Sequence, residues 1–355
     1  MYDLLRSLLF LLPPEVAHAV ALRSLHAKRR LRDWANHEIA PIAGGARHVM
    51  GLNFANPIGL AAGMDKNGDF VDALGGLGFG FVEVGTVTPR PQPGNRRPRL
   101  FRLPQAEALI NRMGFNNKGV EYLIEKVHRR RYAGVLGINI GKNFDTPLDR
   151  AVDDYLLCLK RVYAAADYVV LNVSSPNTPG LRRLQSGLAM KELLSKLKRE
   201  QLRLARHTER YVPLLVKVAP DLVADELIPM ADTINELQID GVVATNTTNS
   251  RDMVAELRHG QETGGLSGRP LFERSTEVLR AFRNALEPGV ALIAAGGVMG
   301  LVEARAKLAA GADLIQVYTG LVYSGPDLVR ELVYGLEGGD ANRSRVAAVS
   351  MREDG

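Results

Sequence analysis

Short runs of β-branched and other apolar residues recur along the chain, each giving way to glycine or polar residues. They are PIGLAAG (57–63), FVEVGTV (81–87), VLGINIG (135–141), YVVLNVS (168–174), PLLVKVA (213–219), GVVATNT (241–247), ALIAAGG (291–297) and LIQVYTG (314–320). Most are separated by segments of helical character, for example 149–166, 184–208, 223–237 and 301–310. Near-continuous apolar strands alternating with amphipathic helices predict a parallel sheet covered by helices. Eight such units predict that the sheet closes into an α/β fold of the (β/α)₈ (TIM) barrel type. An open doubly wound sheet would want a GxGxxG turn after the first strand, where the sequence has AAGMDKNG instead.

Two connections break the spacing. Residues 88–134 are too rich in proline and arginine for one helix and are expected to form a small hairpin and a long loop. Residues 248–275 form the second insertion. Long connections of this kind often serve as lids or binding loops. From about residue 339 the periodicity is lost, and the tail is expected to fray. The start of the chain predicts two short helices broken at Pro13-Pro14. Leu4, Leu5, Leu8, Leu9, Leu12, Val16 and Val20 give them an apolar face, and Arg6, Arg23, Lys28, Arg29, Arg30 and Arg32 supply positive charge. The apolar run is far shorter than the roughly 20 residues of a spanning helix. AHA at 17–19 imitates a signal-peptide cleavage site, but the prolines and Asp3 argue against one. The expectation is a helical pair lying on an anionic bilayer. The organisation read from the sequence is therefore a helical extension (1–45), a barrel (46–338) and a flexible tail (339–355).

Composition changes this picture little. With 46% hydrophobic and 24% charged residues, the 355-residue chain can bury a large core. The lone Cys158 excludes an intramolecular disulfide and a cysteine-rich metal site, and the seven histidines show no ligand spacing, so no metal is expected. The net charge of +6 lies mostly along helical segments such as KELLSKLKREQLRLARHTER, which fits solvated helix faces better than a nucleic-acid footprint.

The chemistry is concentrated where a barrel places its active site, at the C-terminal ends of the strands. Lys66 follows the first strand, Thr86 ends the second, and Asn139 and Asn172 lie on the third and fourth. Thr245, Asn246 and Thr247 end the sixth, Gly296 and Gly297 the seventh, and Tyr318, Thr319 and Gly320 the eighth. Glycines after the seventh strand suit a phosphate-bearing ligand. Lys217, inside the apolar fifth strand, calls for an anion or a developing negative charge. It could form a Schiff base or sit beside the edge of a flavin ring. Asn111, Asn172, Asn177 and Asn246 are expected to converge with Asn139 around one cavity. Their amides offer both donors and acceptors and match a flat heterocycle with lactam edges.

Taken together, these segments resemble the dihydroorotate dehydrogenases, specifically the membrane-associated, quinone-dependent class. GLNFANPIGLAAGMDKNG, EVGTVTPRPQPGNRRPRLFRL, INRMGFNN, NVSSPNTPGLR, KVAPD, TNTT, GGLSGRPL and AAGGV carry the resemblance over essentially the whole chain. It implies one FMN, held by Ala62, Gly63, Met64, Asp65, Lys66, Thr86, Asn139, Asn172, Lys217, Thr245, Gly268, Gly297, Tyr318 and Thr319. It implies dihydroorotate or orotate held by Lys66, Asn111, Arg112, Met113, Gly114, Phe115, Asn172, Asn177, Asn246 and Thr247. Ser175 matches the base that takes the C5 proton; relatives using soluble acceptors carry cysteine there. Thr178 and a water are candidate relay members behind it. The resemblance further implies that the N-terminal helices form the mouth of a quinone tunnel on the cytoplasmic face of the inner membrane, and favours a monomer. The rival reading is a flavin-dependent dihydrouridine synthase, which the basic charge would suit but which would want a cysteine in the active-site loop.

Overall fold

The structure, a computed structural model, describes residues 2–32, 38–185 and 187–338. The tail from 339 and the side chains of Arg30 and Arg32 lie outside the described residues. Eight parallel strands close the barrel: β1 (Ile58–Leu60), β2 (Phe81–Val87), β3 (Val135–Ile140), β4 (Tyr168–Asn172), β5 (Leu214–Val218), β6 (Gly241–Ala244), β7 (Ala291–Ala295) and β8 (Leu314–Val317). They follow one another around the barrel in chain order, and β8 pairs with β1. Each expected strand is present, shortened at its ends by the residues that turn into the site.

Every residue of these strands is buried. Side chains alternate between the helical shell and the barrel interior. Val82, Val84, Val169, Leu171, Val216 and Val242 join the shell core. The inward set changes character with height. Phe81, Val135, Tyr168, Leu215, Val243, Ile293 and Leu314 belong to an apolar cluster at the N-terminal end. Two or four residues further along the same strands stand Glu83, Asn139, Asn172, Lys217 and Gln316, all buried. The barrel is thus an apolar plug below and a polar chamber above.

A hairpin, Arg47–Val49 paired with Leu52–Phe54, closes the lower end, with Phe54 edge-on to Phe81 at 5.4 Å. Its two-residue turn has positive φ at both Met50 (56°) and Gly51 (74°), the conformation that matches strand twist.

The two insertions meet over the upper end. Leu100–Leu103 and Ala108–Asn111 form the expected hairpin, and Gly265–Gly268 of the second insertion adds to it as a third antiparallel strand. Phe101, Leu103, Ile110, Val254 and Leu266 pack beneath this sheet. Two expectations need correction. The first insertion also contains a helix, Val120–Val127, whose Val120, Leu123 and Val127 are buried. Residues 272–275 open the helix Phe272–Ala285 rather than ending a loop.

The chain starts with α1 (Tyr2–Phe10) and α2 (Pro14–Arg32), broken at the prolines as expected. Arg102 fastens the break: it donates to the carbonyls of Phe10 and Leu12 at 2.8 Å and lies over the Phe10 ring. Glu15 pairs with Arg99 at 2.9 Å and Arg97 at 3.1 Å. Ala17 and Leu22 turn inward, whereas Leu4, Leu5, Leu8, Leu11 and Leu12 are 38–82% exposed.

Candidate active site

One cavity of about 440 Å³ lies at the C-terminal end of the barrel, between the strand ends, the three-stranded sheet and α2. Its wall includes residues from the ends of most barrel strands, together with Glu15, His18, Ala19 and Leu22 of α2. The polar chamber and the helical extension therefore enclose one continuous space.

Most of the residues proposed from sequence line the cavity; Asn139, Arg112 and Gly268 do not. Ala62, Gly63, Met64, Asp65, Lys66, Thr86, Lys217, Thr245, Gly297, Tyr318 and Thr319 line the cavity, as do Asn111, Met113, Gly114, Phe115, Asn172, Ser175, Asn177, Asn246 and Thr247. Asn139 stands one layer below the cavity wall, contrary to the expected ring of five amides. Its Nδ2 donates to Glu83 at 2.8 Å and its Oδ1 accepts from Thr86 at 2.5 Å. Arg112 directs its guanidinium away from the cavity, to Glu262 at 2.8 Å and over the ring of Phe101, so its side chain braces the second insertion. Gly268 lies beside the wall, where its φ of 99° and the carbonyl of Glu107, 2.2 Å from any added Cβ, demand glycine.

The amides are linked. Asn172 Nδ2 donates to Thr86 Oγ1 at 2.8 Å, and Asn246 Nδ2 donates to Asn172 Oδ1 at 3.2 Å and to Ser174 Oγ at 2.9 Å. Asn177 Nδ2 reaches Asn111 Oδ1 at 3.3 Å. Ser175 is 5% exposed and faces the cavity, and its Oγ accepts the amide N–H of Asn177 at 3.2 Å. That contact orients the hydroxyl oxygen but leaves its proton free. Among the described residues no carboxylate or imidazole hydrogen-bonds to it, and Thr178 makes no direct bond to it.

Arg182, not singled out from sequence, holds this loop. Its guanidinium donates to the Ser174 carbonyl at 3.2 Å, to Asp221 at 2.7 Å and to the Thr247 carbonyl at 3.0 Å. Asp221 also accepts from Thr248, so the loops after β4, β5 and β6 are tied at one point.

Charges in the site are displaced from their ordinary behaviour. Burial, then the charge of Arg99, brings Lys66 down to about 8; its ammonium donates to the Gly63 carbonyl at 2.6 Å. Burial lowers Lys217 as well, and Glu83 opposes that shift. Burial and the neighbouring Lys66 push His18 down to about 4, so it is neutral at physiological pH. Asp65 is spent on the backbone amides of Asn67, Asp69 and Phe70, shaping the loop after β1 rather than reaching the cavity through its carboxylate.

Several features fit a large, partly anionic ligand. Lys217 is buried yet its ammonium makes no hydrogen bond within the described residues. Gln316 Oε1 is buried in the cavity wall without a partner. Gly296 and Gly297 do not spend their amide N–H groups on a backbone carbonyl among the described residues, and Gly297, at φ 76°, would place a Cβ 2.2 Å from Phe272. Free amides on a glycine turn after the seventh strand are suited to a phosphate.

The barrel, the site and the sequence agree on a class. The family model for dihydroorotate dehydrogenase matches residues 46–338, and the chain belongs to that family. It is 54% identical to the dihydroorotate dehydrogenase (quinone) of Nitrosospira multiformis, over 94% of each chain. It is also 54% identical to the protein of that name from Pseudomonas aeruginosa, over 94% of this chain and 97% of the relative. Within the family, the chain therefore groups with the quinone-dependent class 2 enzymes. The crystal structure of DHODH from Eimeria tenella in complex with ferulenol superposes with a TM-score of 0.84 at 37% identity, covering 94% of this chain and 93% of that one. Membership implies a flavin cofactor and a quinone.

Proposed function

We propose that this chain oxidises (S)-dihydroorotate to orotate in de novo pyrimidine synthesis, with FMN accepting the hydride and a membrane quinone as the final acceptor. The observation that carries the reading is the single cavity. It joins an amide-lined polar chamber to an opening walled by α2, so two substrates of opposite polarity can be served from one space. FMN, when bound, supplies the two-electron acceptor that no side chain here provides. Gly297, Thr319 and the neighbouring amides would hold its phosphate, and Lys217, Thr86 and Gln316 its ring system.

The remaining chemistry belongs to the chain's own residues. Lys66 neutralises the substrate carboxylate. Asn111, Asn172, Asn177 and Asn246 offer donors and acceptors to the lactam edges and orient the ring. Ser175 takes the C5 proton, which the adjacent carbonyl acidifies. Arg182 closes the loop that carries Ser175 and keeps water out. The exposed leucines of α1 would each contribute up to about 1.5–3 kcal/mol on full burial in lipid. That supports peripheral, reversible attachment to the cytoplasmic face of the inner membrane. No described helix is long and apolar enough to cross a membrane. The proposal keeps the division into extension, barrel and tail, and a monomer without nucleic-acid partners. A dihydrouridine synthase would need an accessible cysteine, and Cys158 is fully buried in the helix Ala151–Val162.

An acceptor comparison tests the reading. Turnover of dihydroorotate should be supported by a quinone and not by fumarate or NAD; equal activity with either soluble acceptor would refute it.

Lys66 gives a pH prediction. In the free protein its charge is present below about pH 8 and lost above it. Binding an anion requires the charged form. The dissociation constant for orotate should therefore be flat below pH 8 and rise toward tenfold per pH unit above it, read from the perturbed flavin spectrum. A flat profile to pH 10 would remove Lys66 from carboxylate recognition. Arg182→Met should slow flavin reduction by about 10–100-fold, the scale of a small misplacement of a reacting group. FMN content should be unchanged, because Arg182 touches the loops and not the phosphate turn. Stopped-flow kinetics and flavin stoichiometry measure the two effects.

A further inference from the structure

Beneath the cavity stands a carboxylate that has no part in the reaction as described. Glu83, the third residue of β2, is fully buried and points into the barrel, since Val82 and Val84 on either side face the helical shell. Three donors converge on it: Asn139 Nδ2 at 2.8 Å, Gln316 Nε2 at 2.5 Å and the Tyr168 hydroxyl at 3.2 Å. No acceptor reaches it among the described residues, so every hydrogen bond it makes there is one it accepts. A charge in a dry interior needs a counter-charge. Lys217, buried on the inner side of β5, shares this interior, and Glu83 acts against the effect of burial on its ammonium.

A carboxylate only accepts hydrogen bonds, so its position dictates how every amide touching it is turned. Asn139 must give Nδ2 to Glu83, which leaves Oδ1 for the Thr86 hydroxyl. Thr86 oxygen then accepts from Asn172 Nδ2, leaving Asn172 Oδ1 to accept from Asn246. Gln316 likewise gives Nε2 to Glu83, which leaves its Oε1 in the cavity wall with no partner. The floor of the cavity therefore presents the Lys217 side chain and one oriented acceptor, Gln316 Oε1.

We propose that Glu83 is a positioning residue for the flavin: through Lys217, Gln316 and Asn139 it fixes the donor and acceptor pattern offered to the ring and sets its reduction potential. The proposal rests on the FMN reading above. Without the carboxylate, Lys217 is uncompensated, and the uptake of electrons above it becomes easier.

Glu83→Gln, nearly isosteric, removes the charge. In the holoenzyme it should raise the flavin midpoint potential by about 30 mV, a tenfold change in the two-electron equilibrium. In a Lys217→Met background the same substitution should have much less effect. An unmoved potential with flavin still bound would overturn the proposal, even if thermal stability fell, because a merely structural glutamate predicts that result. An equal shift in both backgrounds would overturn the route through Lys217. Should Glu83→Gln fail to fold, Glu83→Asp withdraws the charge by one methylene; it should give a smaller rise, and no rise overturns the proposal. A parent protein that purifies without flavin would instead sink the FMN reading, so the two failures are distinguishable.

Discussion

Ser175→Ala is expected to bind FMN and orotate normally but to be reduced by dihydroorotate roughly 10²–10⁴ times more slowly, about 3–5 kcal/mol of barrier. The serine is buried against the cavity, and among the described residues its side chain makes one hydrogen bond, accepting the Asn177 amide N–H. Removing the hydroxyl leaves the amide chain Thr86–Asn172–Asn246 and the flavin-side residues intact, so binding should survive while proton removal does not. A free hydroxyl is a weak base at neutral pH. No carboxylate or imidazole assists it among the described residues; Thr178 makes no direct bond to it there, so the relay expected from sequence, Thr178 with a water, would run through the water. The proton must then pass from the serine oxygen to water, with the loop held by Arg182 closing over the substrate. Stopped-flow reduction under anaerobic conditions reads the effect. Unchanged kinetics would remove Ser175 from the mechanism.

Deleting residues 2–36 is expected to abolish turnover with quinone, by more than ~10²-fold, while dihydroorotate still reduces the flavin. The helices contribute Glu15, His18, Ala19, Leu22 and Arg23 to one side of the cavity, with His18 neighbouring Lys66. They are fastened by specific contacts: Glu15 to Arg99, Arg102 to the carbonyls at the proline break, and Tyr2 to the Val322 carbonyl at 2.7 Å. The deletion also uncovers the partners of Ala17 and Leu22, a cost of about 1–3 kcal/mol. A subtler variant, Ala19→Trp, narrows the passage with the fold in place. It should raise the KM for quinone and leave the reductive half-reaction unaltered. Full quinone activity in both proteins would refute a passage between the helices.

Much of this was legible before the fold was known, for a physical reason. A strand buried on both faces must be apolar throughout, so the eight runs stand out from the amphipathic helices between them. The same logic made Lys217 conspicuous, and Glu83 in FVEVGTV carries the same signal: a charge inside an apolar strand. Its role is not legible in sequence, because it depends on partners from β3, β4 and β8, which no linear spacing reveals. Arg182 was hidden for the same reason, since its partners lie on the loops after β5 and β6. The plug hairpin at 47–54 carries a weak sequence signal, because its turn is Met50-Gly51, not the usual Asn-Gly. The helix Val120–Val127 was masked by the prolines and arginines before it, although its buried residues recur at helical spacing. Asn139 was placed at the right strand but the wrong height: alternation fixes which way a side chain points, not how deep the ligand reaches.

The account stands or falls on the claim that the cavity holds a flavin that takes electrons from dihydroorotate. Anaerobic titration of the purified protein tests this most directly. The visible flavin absorbance should bleach at one dihydroorotate per bound FMN and return on adding a quinone. A colourless protein, or a flavin that stays oxidised with dihydroorotate in excess, would contradict it.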